Sequence, residues 1–389
     1  MKYQFDTVID RKGTSSVKWD RMEALWGRTD ILPLWVADMD FATAPFVLEA
    51  IKERCNHPVL GYTDKSDNYY QSIVGWVKAR YGMEITREML NYVPGVVAGL
   101  GMAIHCFTSP GDKILIQTPV YPPFSWLVTR NKRTLVTSSL IQENNTFRMD
   151  LKDFSEKIKG VKVFILCNPH NPGGIVWDKE TLQEVARICA ENKVLVFSDE
   201  IHADLTLPPC RHLPFAMVSD EAKMNSVTFM SPSKAFNMPG LAASHAIIFN
   251  ESLRKQFADY LSSGELDGGH LFAFTGVEAA YSHGTEWLET CLSYIQSNID
   301  FVLGFLEKHT PKIKAMRPHA SYLLWLDCRE LGLSQPELNR FFVDKARLGL
   351  NDGETFGKEG VGFMRMNVAA PRVILEQAMK QLEEAYKNL

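Results

Sequence analysis

Lysines usually sit in solvent, yet Lys234 stands in the run SPSKAFNMPG, residues 231–240, between two serines and an apolar turn that contains a proline. An amine placed there can form a Schiff base with a carbonyl compound, or move a proton. Three other short runs carry groups able to work with it. TPVYPPF supplies the phenol of Tyr121, NPHNPGG supplies Asn168, His170 and Asn171, and DEIHADL supplies Asp199, Glu200, His202 and Asp204. None of these is specific alone. Loops collect polar residues by default, and a carboxylate after a strand is more often a helix cap than a catalyst.

Their spacing gains meaning from what precedes each run. KILIQ (113–117), RTLVTS (133–138), VKVFILC (161–167), KVLVFS (193–198), SVTFM (226–230) and HAIIF (245–249) are short, apolar and often β-branched, and read as strands. KETLQEVARICAEN (179–192) has apolar residues at Leu182, Val185, Ala186, Ile188 and Cys189, a helical spacing. Strands alternating with helices predict an α/β domain whose mostly parallel central sheet is flanked by helices. Ligands bind such sheets beyond the carboxyl ends of the strands, where the four polar runs fall. VPGVVAGLGMAIHCF (93–107) reads as a glycine turn entering a helix, a place where free backbone N–H groups attract an anion. It is neither a dinucleotide fingerprint nor a P-loop.

After about residue 284 the pattern changes. TEWLETCLSYIQSNIDFVLGFLEKH (285–309) reads as one long helix, SYLLWLD (321–327) and VGFMRMN (361–367) as strands, and ILEQAMKQLEEAYKN (374–388) as a closing helix. The expected division is a large domain over 46–284 and a smaller α+β unit formed by 285–389, with 1–45 as an arm that joins it. The 389 residues are 46% hydrophobic and carry a net charge of −4, which argues against a general nucleic-acid binder or a basic membrane-surface protein. No stretch approaches the roughly 20 apolar residues of a spanning helix, and the first residues lack a signal-peptide core. Seven scattered cysteines without a C-x-x-C pair read as reduced core residues of a cytoplasmic protein, with no metal site.

One cofactor uses all of these parts. Pyridoxal 5'-phosphate needs an amine for a Schiff base, a carboxylate at its pyridine nitrogen, donors for its phosphate and a surface for its ring. At this point the chain resembles the fold-type I pyridoxal-phosphate enzymes over nearly its whole length. The order Tyr121, Asn171, Asp199, Lys234, with Arg365 far downstream, matches that superfamily, as do NPHNPGG, SDEIHADL and SPSKAFNMPG together. LPLWVADMDF (32–41), LGYTD (60–64) and FMRMNVAAPR (363–372) look like its cystathionine β-lyase and cysteine-sulfur lyase branch, related to cystalysin.

The resemblance implies a set of roles. Lys234 holds the cofactor and moves the Cα proton, Asp199 pairs with the ring nitrogen, Asn171 faces the ring oxygen and Tyr121 stacks on the ring. Ser231, Ser233 and the backbone N–H groups of Val96 and Val97 bind phosphate, with His202 as a further cofactor contact. Tyr62 reaches the phosphate in a partner subunit, so the active form is a homodimer with shared sites. Arg365 takes the α-carboxylate of an amino-acid substrate, helped by the backbone of Ala37. Two departures stand out. Many aminotransferases of the superfamily carry a phosphate-binding arginine where this chain has Ala242, and a tyrosine where it has His202. Both favour the lyase branch. The implied reaction is β-elimination of a thiol from cystathionine, cysteine or a related S-conjugate. An aminotransferase is the alternative, and a non-catalytic regulator that keeps the cofactor is a third.

Overall fold

In the computed structural model, which describes residues 3–389, the β-branched runs become strands of one sheet. In chain order these are β1 (Leu90–Val93), β2 (Lys113–Thr118), β3 (Thr134–Ser139), β4 (Val163–Cys167), β5 (Leu195–Asp199), β6 (Ser226–Met230) and β7 (Ser244–Ile247). They lie in the order β1-β7-β6-β5-β4-β2-β3. Neighbours from β6 through β3 pair in parallel, whereas β7 is antiparallel to both β6 and β1. Every residue of β4 and β6 is buried, as expected of a sheet covered on both faces. Sequence analysis missed β1. It is four residues long and runs straight into Pro94, too short to show a period.

The main helices are α1 (Pro45–Cys55), α2 (Asp67–Tyr81), α3 (Val96–Phe107), α4 (Lys179–Glu191), α5 (Leu271–His283), α6 (Thr285–His309) and α7 (Arg372–Lys387). Helix α4 starts where the Asp178 carboxylate accepts from Thr181 N–H at 2.7 Å, and it buries the five apolar positions read from the sequence. Helix α3 lies so close to the sheet that Gly99 is required. A Cβ there would stand 2.8 Å from Val93 Cγ2 and 2.9 Å from the Phe229 ring.

A second sheet follows α6, built from β8 (Lys314–Ala315), β9 (Leu323–Asp327), β10 (Asn351–Asp352) and β11 (Phe363–Asn367). Its order is β8-β9-β11-β10, all antiparallel. The N-terminal segment joins this unit. Leu32–Pro33 pairs in parallel with Leu348–Gly349, and Asn367 Nδ2 donates to the carbonyls of Val36 and Asp38. The loop 35–40 is thereby held between the two sheets. A charge cluster locks its far side: Lys18, fully buried, lies 2.6 Å from Asp40, while Arg11 bonds both Asp38 and Asp40. Cys167, Cys189, Cys291 and Cys328 are buried as expected, but Cys55 is exposed at the end of α1 and Cys106 and Cys210 are half-buried. No helix among the described residues is long and apolar enough to cross a membrane.

Candidate active site

Beyond the carboxyl ends of β2, β4, β5 and β6 lies a cavity of about 510 Å³. Tyr121, Asn171, Asp199, His202, Ser233 and Lys234 line it, together with Ala37, Val96 and Val97. Residues from six separate runs of sequence thus meet in one place. Helix α3 points its N-terminus at the cavity. Gly95 turns the chain at φ 138°, where a side chain would be strained, and no side chain caps the helix. Its first N–H groups are therefore left for an anion.

Lys234 and Asp199 set the electrostatics. The Lys234 amine donates to Ala37 O at 2.6 Å, and Tyr322 Oη donates to the same carbonyl at 3.0 Å. Burial pulls the Lys234 ammonium down to about 8; Asp38 and Asp199 oppose this and Arg365 adds to it. Asp199 moves the other way. Burial pushes its carboxyl up to about 7, against the Ile201 N–H that donates to Oδ1 at 3.1 Å, with Glu200 adding to the rise and Lys234 opposing it. The His202 imidazole is held down to about 3 by burial, with Lys234 and Arg365 adding to it, so it is neutral near pH 7, and its Nδ1 has no partner among the described residues. Burial also raises the Tyr121 phenol.

Arg365, on β11, stands behind Asn171. Its Nη1 donates to Asn171 Oδ1 at 3.0 Å, and Nη2 donates to Asn351 Oδ1 at 2.6 Å and Trp35 O at 3.1 Å. The guanidinium sits 5.0 Å over the Phe356 ring, and its buried Nε–H has no partner among the described residues. Burial lowers it to about 10, so it remains a cation.

Three expected residues, Arg365, Ser231 and Tyr62, are not among those that line the cavity. Ser231 is turned into the scaffold: its hydroxyl is 2.6 Å from Ala243 O, 2.8 Å from Ser233 Oγ and accepts from Ser233 N–H at 3.0 Å. That hydroxyl braces Ser233. Tyr62 is fully exposed in the segment between α1 and α2, away from this chain's own cavity. His170, Glu200 and Asp204 also turn away. His170 is buried against the Phe147 and Trp177 rings, with Nε2 2.9 Å from Pro119 O. Asp204 accepts from Trp76 Nε1 at 3.0 Å and from Tyr81 Oη, both on α2. Glu200 meets His212, a residue that sequence analysis did not single out; only the need of a buried carboxylate for a partner pointed to it.

The donor set suits pyridoxal phosphate: a partly neutral amine, a buried carboxylate with one N–H donor, an aromatic face and an uncapped helix terminus. Fold and site together define an α/β enzyme of the kind that binds this cofactor at strand ends. The chain belongs to the aminotransferase class I and II family, whose model matches residues 29–382. Its fold is that of the fold-type I pyridoxal-phosphate enzymes. It is 41% identical to cystathionine beta-lyase PatB of Bacillus subtilis, over 98% of this chain and 99% of that protein. Among solved structures, a pyridoxal-phosphate-bound protein of Clostridium difficile 630, described provisionally as an aminotransferase, superposes with a TM-score of 0.97 at 41% identity, covering 99% of this chain and all of that one. Cystalysin from Treponema denticola, which contains pyridoxal 5'-phosphate, gives 0.95 at 32% identity, over 100% of both chains.

Proposed function

We propose that this protein is a pyridoxal-phosphate-dependent carbon–sulfur lyase. It removes a thiol from Cβ of L-cystathionine, cysteine or a cysteine S-conjugate and releases pyruvate and ammonia. The observation that carries this reading is the Lys234 amine and the Asp199 carboxylate in one cavity below an uncapped helix N-terminus, in a chain with close lyase relatives.

Lys234 and Asp199 would hold the cofactor, one covalently and one at the ring nitrogen. Tyr121 would cover the ring, and the backbone N–H groups of Val96 and Val97 with Ser233 would hold the phosphate. Asn171 has its Oδ1 taken by Arg365, which leaves Nδ2 to donate to the ring oxygen. His202 is neutral and lies in the same cavity, a contact for the ring edge. When bound, pyridoxal phosphate withdraws electrons from the substrate's Cα. The chain's residues do the rest. Arg365 takes the α-carboxylate, a task for a planar fork whose Nε–H is still free, and the Ala37 backbone lies beside it. Lys234, displaced by the substrate and uncharged, takes the Cα proton. Its low proton affinity keeps a large neutral fraction near pH 8. The Cβ–S bond then breaks, the thiolate leaves with the bonding pair, and water completes the release of pyruvate and ammonia.

The same reading divides the chain into a cofactor domain, 46–284, and a smaller unit of 1–45 with 285–389. It makes the enzyme a homodimer in which the exposed Tyr62 serves the partner's phosphate, and places it in the cytoplasm, where its free cysteines stay reduced. An aminotransferase is the second reading, favoured by the Clostridium difficile relative and by the shared machinery up to loss of the Cα proton. Incubation with L-cystathionine and no added keto acid separates the two. Pyruvate must accumulate; amino transfer that depends on a keto acid, without pyruvate, would sink the lyase reading.

A further inference from the structure

Glu200 follows Asp199 directly but turns its side chain to the other side. Its Oε1 accepts from Ser198 Oγ at 2.8 Å and from Phe215 N–H at 2.9 Å, and its Oε2 lies 2.7 Å from His212 Nε2. The two side chains are 0% and 1% exposed. An ionised carboxylate so deeply buried is costly unless a cation balances it. Among the described residues, His212 is the one side chain within ion-pair distance of Glu200; it is a cation only when protonated, and its Nδ1 has no partner among the described residues. The backbone between them and the cavity is also fixed: Glu200 N–H donates to Phe229 O at 2.9 Å and Ile201 N–H holds Asp199 Oδ1.

We propose that His212 and Glu200 are positioning residues for Asp199. Their contact fixes the turn that aims the Asp199 carboxylate, and a proton held on His212 would cancel the negative charge one residue away, so that Asp199 stays ionised against the cofactor's ring nitrogen. This rests on the cofactor reading above. It agrees with the direction of the Glu200 influence, which favours a protonated Asp199. Other charged and titratable groups face both ends. Asp204, Tyr81 and Arg80 adjoin His212, with Lys78, Arg211 and Glu289 round a second cavity of about 830 Å³ that His212 also lines. Lys234, Tyr121, Cys167 and His202 share the surroundings of Asp199.

The test is the pH dependence of pyridoxal-phosphate capture by the cofactor-free protein, followed by the visible absorbance of the bound cofactor. Affinity falls on the acid side as Asp199 takes up its proton. Glu200→Gln removes an anion, so this limb should move to lower pH. His212→Gln leaves the anion unbalanced, so the limb should move to higher pH by about one unit, the order of effect of a nearby unit charge. His212→Lys keeps a cation and should stay near the wild type. A purely structural role predicts something else: both glutamine variants weaken capture equally at all pH, or move the limb the same way. Either result overturns the proposal. Should Glu200→Gln fail to fold, His212→Gln against His212→Lys decides the same point. Wild-type protein that captures no pyridoxal phosphate would instead overturn the cofactor reading on which this one stands.

Discussion

Arg365 Nη1 donates to Asn171 Oδ1 at 3.0 Å, and so ties the four-stranded sheet to the loop after β4 of the seven-stranded one. The contact spans 194 residues of sequence. It sets the amide orientation of Asn171 and leaves the guanidinium with its Nε–H free, ready to exchange internal partners for a carboxylate.

Replacing Arg365 by lysine should therefore cost more than a conservative change suggests. A point charge cannot bond Asn171, Asn351 and a carboxylate in one plane, nor lie flat on Phe356. We expect about a 100-fold loss in kcat/KM, carried chiefly by KM, from the missing charge-assisted bonds. Steady-state kinetics check this; an unchanged KM would place the α-carboxylate elsewhere.

Asp199 makes stability depend on pH. In the cofactor-free protein it keeps its proton up to about pH 7, whereas the unfolded chain releases it near 3.8. Between those values the folded state holds more protons, so stability falls as pH rises. Asp199→Asn removes the charge and keeps the shape. It should change little at about pH 4 and stabilise by up to about 4 kcal/mol at about pH 8. Denaturant melts of the cofactor-free variant at both pH values measure this. Equal effects at both would mean that the buried charge is not the cause.

Much of this arrangement was legible because strands and catalytic groups share local sequence. The strand runs at 113–117 and 226–230 and the helix at 285–309 fall where periodicity put them. Tyr121, Asn171 and Lys234 follow strands and Asp199 ends one, and all four meet at one cavity. Other features depend on neighbours far along the chain. The reversed direction of β7 leaves no mark in the four residues SHAI. Ser231 has the same chemistry as Ser233, and only the nearby Ala243 carbonyl decides that its hydroxyl turns inward. His212 sits in PPCRHLPF, which has no period, and its partner is a carboxylate in another run.

Lys18 reads as an ordinary basic residue, yet its side chain is fully buried at 2.6 Å from Asp40. Its ammonium also donates to Asp38 O at 3.3 Å, next to the Ala37 carbonyl that receives Lys234. Lys18→Met leaves Asp40 with Arg11 and the Trp19 indole only. Removing one partner of a buried pair costs about 3–5 kcal/mol, and we expect a loss at the lower end because Arg11 remains. Equilibrium unfolding in denaturant measures it; a change below about 1 kcal/mol, the scale of an exposed pair, would show that the pair contributes no more than a surface one.

Tyr62 gives the proposed dimer its sharpest test. With Val59 and Leu60 it forms an exposed apolar stretch at 112%, 60% and 62% exposure, which a lone chain has no reason to keep. If Tyr62 serves the partner's phosphate, Tyr62→Ala should weaken cofactor binding although the residue is far from its own cavity. Lys234→Ala should abolish turnover outright. The two defects then fall in different sites or the same one, depending on how the chains pair. In a mixed dimer one site takes both defects and the other takes neither. Unfolding and refolding the two variants together, at a cofactor level that saturates only the wild type, should restore up to about a quarter of wild-type activity, because half the dimers are mixed and each has one intact site. If Tyr62 acted within its own subunit, each site in a mixed dimer would keep one defect and no activity would return. Sedimentation of the refolded mixture must show dimers for either result to count, and a monomer at that step would overturn the shared-site reading itself.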